Sequence, residues 1–229
     1  MIRDVLDGLL CDTDRRRCIL ELGAGGGHSL CHLARDFEAV AVDLSPAMIE
    51  QSSRLNPTVE HHVADMRTVR LGRLFDAVLV HDAIDYMTTV ADLRSMFGAA
   101  SAHLPPGGVL LVAPTYLRRT FVDHQIEYDR NTNDQIDLTY VSHVHAPTPA
   151  PGSGPGNAKG AADTTFELAI LLLIRERGRL RIEEDRHTCG LFSESTWLEL
   201  LAAAGFAVQQ HPQADESTAS WALFVAIKR

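Results

Sequence analysis

The chain has 229 residues, of which 45% are hydrophobic and 22% are charged, and its formal net charge is −9. This composition is typical of a globular protein and fits one α/β domain with an insertion. The acidic balance argues against a nucleic-acid partner, because phosphate binding requires clustered Lys and Arg. Apolar runs stay well short of the ~18 residues of a membrane span, and the first residues lack the apolar core of a secretion signal, so we expect a cytoplasmic protein with no membrane partner.

Cysteine and histidine spacings do not match a metal site. The 4 cysteines, at positions 11, 18, 31 and 189, form no Cys-x-x-Cys pair. Reduced thiols in the cytoplasm are the simplest interpretation. The pairs His61-His62 and His143-Val-His145 lack the partner spacing of a zinc site. We therefore expect no metal.

The first half of the chain alternates between strand and helix patterns. Apolar spacing predicts an opening helix over residues 2–10, and a second helix over 29–37. Ser45 and Pro46 are the N-cap and first turn of a third helix, and a fourth covers 90–104. Buried strands are predicted at 18–22, 39–43, 59–65, 75–81 and 109–113. This alternation implies a mainly parallel, Rossmann-like sheet with helices on both faces, which binds ligands at the carboxyl ends of its strands.

The pattern changes to antiparallel after Pro114. Residues 136–145 look extended, 146–162 are rich in Pro, Gly, Ala and Ser, and 164–175 and 179–188 form a hairpin. A helix over 193–204 follows, with Ser193 as N-cap and Gly205 as C-cap. Closing strands at 206–211 and 221–227 bring the main sheet to seven strands. We predict a single domain, residues 1–229, with an antiparallel insertion at about 115–190.

A glycine-rich loop at residues 21–27 is the central motif. Gly23, Gly25 and Gly27 let the backbone turn sharply and approach a ligand, and the helix that follows directs its free N–H groups to the same crevice. The dinucleotide pattern Gly-x-Gly-x-x-Gly would need a third glycine where His28 stands. Because Glu21 precedes the loop, S-adenosylmethionine, with its amino acid and sulfonium cation, fits better than NAD.

Two acidic positions add to the predicted cofactor-binding site. Asp43, at the end of the second strand, can accept both ribose hydroxyls, which S-adenosylmethionine and NAD share. A helix-capping carboxylate is the alternative interpretation of Asp43. Asp65 can accept the adenine amino group while Met66 packs on the ring, or Asp65 is a plain turn residue.

The chain resembles class I S-adenosylmethionine-dependent methyltransferases over nearly its whole length. The resemblance rests on six segments, at 21–27, 43, 64–66, 75–78, 104–108 and 204–206. The late antiparallel insertion is similar to that of bacterial small-molecule methyltransferases, including the deoxysugar N,N-dimethyltransferases. In that group the extra strands roof the active site and often help form a homodimer.

This resemblance implies S-adenosylmethionine as cofactor and S-adenosylhomocysteine as product. By it, Glu21, Gly23 and Gly25 line the methionine portion, Asp43 holds the ribose, and Asp65 and Met66 hold the adenine. The cofactor-binding set it implies is Glu21, Gly23, Ala24, Gly25, Asp43, Leu44, Asp65, Met66 and His81.

Candidate catalytic residues lie near the predicted acceptor. His81, at the end of the fourth strand, is the first candidate base, since imidazole takes up a proton near neutral pH; it could instead only hydrogen-bond the cofactor. His187 is the second candidate, or belongs to an exposed strand end. We predict methyl transfer to an O or N atom of a sugar-like or natural-product molecule of secondary metabolism. A non-catalytic S-adenosylmethionine-binding regulator or partner subunit and an NAD-dependent oxidoreductase are the alternatives.

Overall fold

A computed structural model describes residues 2–9, 16–133, 136–146, 164–210 and 223–229. Strands β1 to β5 are Cys18–Leu22, Glu38–Asp43, Glu60–Val63, Ala77–His81 and Val109–Ala113. With β10 (Phe206–Gln210) and β11 (Phe224–Lys228) they form a seven-stranded sheet in the order β10-β11-β5-β4-β1-β2-β3. In this central sheet β11 runs antiparallel to both of its neighbours, β10 and β5. The short link between the last two strands favours this direction for the pair β10–β11. Residues 221–222 of the predicted last strand, and 147–162 of the predicted loop, lie outside the described residues.

The helices are α1 (Ile2–Leu9), α2 (His28–Leu33), α3 (Pro46–Leu55), α4 (Val90–Ala102) and α5 (Glu194–Ala203). The predicted N-caps are confirmed, because Ser45 and Ser193 each accept a backbone N–H three residues on. Helix α2 ends four residues earlier than predicted, since Phe37 leaves the helix to become a buried core residue. The cap of α5 is Ala204, and Gly205 follows it with a φ of 90°. In the described ranges no helix has the length and apolar character to cross a bilayer.

Alternating side chains of the central sheet pack on helices at both faces, as the sequence predicted. Leu20 and Val78 belong to one core, which contains Phe97 of α4 and Trp197 of α5. Their neighbours along the strands point the other way, into a second core: Ile19 and Leu79 of the sheet, Leu6 of α1 and Leu30 of α2. The central sheet is thus covered on both sides and reaches solvent mainly at its strand ends.

The insertion forms a second, four-stranded antiparallel sheet in the order β6-β7-β8-β9. Its strands are β6 (Ile126–Thr132), β7 (Ile136–His145), β8 (Thr165–Glu176) and β9 (Arg179–Gly190). The predicted hairpin is confirmed, and Arg177 and Gly178 turn it with φ values of 48° and 78°. The sequence did not predict β6, because all its side chains are exposed and no apolar alternation marks it.

A small core joins the second sheet to the central one. It contains Val144, Phe166, Cys189 and Leu191, with Tyr116 packed against it. The strand β9 also contacts a 3₁₀ turn, Ala83–Tyr86, that follows β4. The end of β9 is therefore held beside the carboxyl end of β4.

Candidate active site

A cavity of about 880 Å³ lies at the carboxyl ends of β1, β2 and β4. This is where the strand order reverses, because β2 and β3 follow β1 on one side and β4 and β5 on the other. Ligands of open α/β sheets bind at such a point. The volume is within the range of ligand pockets, roughly 300–1,000 Å³, and suits a cofactor with a small acceptor.

The glycine loop forms one wall of this cavity. Gly23, Gly25 and Gly27 adopt φ values of 76°, 53° and 82°, which disfavour any residue with a Cβ. The backbone N–H groups of Gly23 and Ala24 both donate to the carbonyl of Val42, at 2.7 and 3.0 Å. The loop is therefore fastened to β2, and its residues 23–25 line the cavity.

Asp43 organises the loop as well as lining the cavity. One carboxylate oxygen accepts from the N–H of Gly25 and the other from that of Ser45, each at 2.8 Å. A carboxylate has about four lone-pair sites, so the ribose hydroxyls could still donate to it. The hydrogen bond with Ser45 supports the helix-capping interpretation of Asp43, and its place on the cavity wall is compatible with the ligand-binding one.

Glu21 is a buried acid in the wall of the cavity. Its side chain lines the cavity but is only 3% exposed, and its Oε2 has no hydrogen-bond partner among the described residues. Burial raises the pKa of Glu21 to about 7, although a hydrogen bond with Ser29 opposes this shift. A buried carboxylate with an unpaired oxygen favours a cationic donor. The residues present therefore fit the amino acid end of S-adenosylmethionine.

Asp65, predicted to face the adenine, is engaged by a neighbour. Arg67 donates to both oxygens of Asp65 and, through its Nη1, to Asp92 at 2.7 Å. These hydrogen bonds hold the pKa of Asp65 below its usual value, so its carboxylate is ionised. Met66 lines the cavity beside it, and Leu44 lies across from them, 67% exposed. Arg67 could not be predicted from a local pattern, because its contact with Asp92 spans 25 residues.

The opposite end of the cavity carries His81 and Asp82. His81 Nδ1 is 3.1 Å from an oxygen of Asp82, and this hydrogen bond raises the pKa of His81 above its usual value. Asp82 has a φ of 49°, a conformation that is rare for residues with a side chain and common at functional turns. Both residues line the cavity, together with Thr115 from the segment after β5.

Asp85 is the buried acid of the 3₁₀ turn. It lines the cavity yet is 7% exposed, and both of its oxygens accept from the N–H of Thr115, at 3.1 and 3.3 Å. Burial raises the pKa of Asp85 to about 7. The sequence placed Asp85 in a polar stretch but did not distinguish it from Asp82.

His187 lies at the rim of the cavity. Its Nδ1 is 3.3 Å from the hydroxyl of Tyr86, and its Nε2 is 3.3 Å from Asp185. Tyr86 lines the cavity, whereas His187 does not, so His187 reaches the site through Tyr86. Cys189 lines the cavity two residues on, and burial raises its pKa to about 12, which keeps the thiol protonated. Across the described ranges, no three His, Cys, Asp or Glu side chains are arranged to hold a metal ion.

Comparisons with known proteins agree with this geometry. Residues 19–108 match a family model described as a methyltransferase domain. The chain is 28% identical to the dTDP-3-amino-3,4,6-trideoxy-alpha-D-glucopyranose N,N-dimethyltransferase of Streptomyces venezuelae, over 90% of this chain and 82% of that protein. It is 29% identical to the dTDP-3-amino-3,6-dideoxy-alpha-D-glucopyranose N,N-dimethyltransferase of Streptomyces fradiae, over 85% of this chain and 71% of that protein.

Solved structures resemble the chain along its full length. Streptomyces venezuelae DesVI superposes with a TM-score of 0.83 at 25% identity, covering 99% of this chain and 90% of that one. CalS10, an amino pentose methyltransferase from Micromonospora echinaspora solved with S-adenosylmethionine bound, superposes at 0.81 with 26% identity, covering 99% and 89%. The two Streptomyces sequence relatives and CalS10 are named as methyltransferases, so the oxidoreductase and regulator interpretations receive no support.

Proposed function

We propose that this chain, which is an S-adenosylmethionine-dependent methyltransferase, methylates the amino group of a small deoxyamino sugar. The observation that carries the proposal is a single cavity that continues from the glycine loop to an acidic and aromatic wall of Asp82, Asp85 and Tyr86. An acidic wall suits an amine better than it suits a neutral or anionic acceptor. The named relatives act on amino sugars, which supports a place in secondary metabolism, and we propose that the protein acts in the cytoplasm.

The second sheet serves, in this proposal, as the roof over the acceptor. Leu168 of β8 and Cys189 of β9 line the cavity from that side. A roof excludes water and holds the acceptor in line with the methyl group. In this proposal the insertion at 115–190 covers the acceptor and shapes the space around it.

Proton transfer is the remaining chemical task of the chain. S-adenosylmethionine supplies an already activated methyl group, so the protein mainly orients the acceptor and removes a proton from its nitrogen. His81 is our first candidate for that base, because Asp82 raises its pKa and both line the cavity. His187 is the second, acting through Tyr86.

Replacing His81 and His187 in turn tests which of them is the base. His81→Ala is expected to lower kcat by roughly 10²- to 10⁴-fold, the usual contribution of a positioned base. His187→Ala, which removes a residue at the rim, is expected to have the smaller effect. Stopped-flow or steady-state release of S-adenosylhomocysteine measures both. Full turnover in His81→Ala with normal cofactor binding would refute its assignment as the base.

The function itself is tested by acceptor screening. The protein is incubated with S-adenosylmethionine and paired probes, amino deoxysugars with and without a nucleoside diphosphate and their hydroxyl counterparts. We expect S-adenosylhomocysteine and a mass increase of one or two methyl groups with an amino sugar only. Methylation of the hydroxyl compounds alone would contradict the proposal. Tight cofactor binding without turnover on any probe would favour a regulator.

A second copy of the chain is our proposed partner for the second sheet. The face that points away from Leu168 and Cys189 exposes large apolar side chains, namely Ile126, Tyr128, Leu171, Leu180 and Ile182. Contiguous exposed apolar residues mark interaction surfaces. We expect sedimentation velocity to give a dimer mass, and Leu171→Glu combined with Ile182→Glu to give a monomer. A monomeric wild-type protein at micromolar concentration would exclude this interface.

A further inference from the structure

We propose that Asp85 binds the amino group of the methyl acceptor and thereby selects amines over hydroxyl compounds. The inference rests on the proposed function and adds to it the residue that decides the acceptor class. Asp85 belongs to the 3₁₀ turn Ala83–Tyr86 after β4. At the start of that turn Ala83 packs on the cofactor loop, because a Cβ added to Gly23 would lie 2.2 Å from the Cβ of Ala83. Asp85 therefore lies two residues along the chain from Ala83, which contacts the glycine loop.

The carboxylate of Asp85 is held in place. Both oxygens accept from the backbone N–H of Thr115, and the side chain is only 7% exposed while it lines the cavity. The backbone N–H and the side chain of Thr115 both hydrogen-bond Asp85, and together they leave part of the carboxylate's acceptor capacity unused, since a carboxylate has about four lone-pair sites. The remaining lone pairs can therefore receive the N–H groups of an amine that enters the cavity.

The surroundings of Asp85 disfavour its ionised form until a cation arrives. Burial and the negative charge of Asp82 raise the pKa of Asp85, whereas His81 and the hydrogen bonds from Thr115 oppose this shift. Cys189 of β9 and Tyr116 from the segment after β5 also lie within electrostatic range of it. Tyr86 is its neighbour on the turn. Among the described residues that line the cavity, Arg67 is the one Arg or Lys, and it is engaged by Asp65 at the adenine end. An ammonium group would supply the missing positive charge.

An amine gains more from such a carboxylate than a hydroxyl does. An ammonium N–H donates a charge-assisted hydrogen bond in a site of low dielectric, and such bonds are about twice as strong as neutral ones. Burial raises the pKa of Asp85 to about 7, so the ionised, amine-binding form is gained as the pH rises through that value. We expect amine binding to strengthen over the same interval.

Acceptor binding to the protein saturated with S-adenosylhomocysteine provides the test. The probes are dTDP-3-amino-3,6-dideoxyglucose and dTDP-6-deoxyglucose, which differ at the amino position. Asp85→Asn is expected to weaken binding of the amine about 10- to 100-fold, as loss of a charged hydrogen bond does, and to leave the hydroxyl compound within about 3-fold. Wild-type affinity for the amine is expected to rise between pH 6 and 8, and this rise is absent in Asp85→Asn. Glu183→Gln, which changes an exposed carboxylate of β9, is the matched control and should behave as wild type.

Stability separates a binding defect from misfolding. Since burial raises the folded-state pKa of Asp85 above its unfolded value, stability falls as the pH rises from the unfolded pKa to about 7, and the whole loss is present at pH 8. Asp85→Asn should therefore melt at or above the wild-type temperature at pH 8. Undiminished amine affinity in Asp85→Asn overturns the inference and leaves the proposed function standing. A wild-type protein that methylates hydroxyl compounds but no amine overturns both.

Discussion

Gly25→Ala is expected to abolish S-adenosylmethionine binding while the protein remains folded. Gly25 has a φ of 53°, and a Cβ added there would meet no atom of the chain within 4 Å. The protein itself therefore has room for the methyl group, and the cost in folding free energy is the backbone strain of about 1–2 kcal/mol. The added Cβ lies beside the cavity that Gly25 lines, so we expect cofactor affinity to fall by about 100-fold or more.

Gly23→Ala is the informative comparison for Gly25→Ala. Its Cβ would lie 2.2 Å from the Cβ of Ala83 and 3.1 Å from the Cε of Met66. We expect a loss of about 3 kcal/mol or more of folding free energy, since overpacking adds to backbone strain. Urea denaturation and calorimetric titration distinguish the two variants. If Gly25→Ala bound the cofactor within about 3-fold of wild type, this wall of the cavity would not contact the cofactor.

Gly190→Ala is expected to lower kcat by about 100-fold with little change in cofactor affinity. A Cβ at Gly190 would lie 2.1 Å from the carbonyl oxygen of Met87 and 2.6 Å from a ring atom of Phe192. The first of these is backbone, so the end of β9 must move away from the 3₁₀ turn. Cys189 and His187 would then be displaced from Tyr86 and the acceptor end of the cavity.

The glycine loop contacts the 3₁₀ turn at Ala83 and not the end of β9, so the cofactor dissociation constant serves as the internal control for Gly190→Ala. Overpacking should also reduce folding free energy by about 1–3 kcal/mol. Gly98→Ala, in helix α4 with no atom within 4 Å of its added Cβ, should instead stabilise by roughly 0.5–1 kcal/mol and leave kcat unchanged. Wild-type kcat in Gly190→Ala would show that the acceptor site tolerates a shift of β9.

Most of the central sheet and its helices could be predicted from the sequence, because the patterns that mark them are local. Strand β1 and the glycine loop follow from a short apolar run and three glycines, and the starts of α3 and α5 follow from Ser45 and Ser193. Each of these features depends on residues within one or two turns. That the predicted cofactor-binding residues would line one cavity followed for a similar reason, since parallel strands end at a common edge.

At the acceptor end of the cavity, only the tertiary structure shows which carboxylate is buried. Asp82 and Asp85 lie three residues apart in one polar stretch, yet the side chain of Asp82 is 61% exposed and Asp85 is 7% exposed. Their difference arises from the segment after β5 and from β9, which are distant in the chain and supply Thr115 and Cys189. The glycine loop and its cofactor were thus determined by the sequence. Which carboxylate faces the acceptor was not, because burial depends on how distant segments pack.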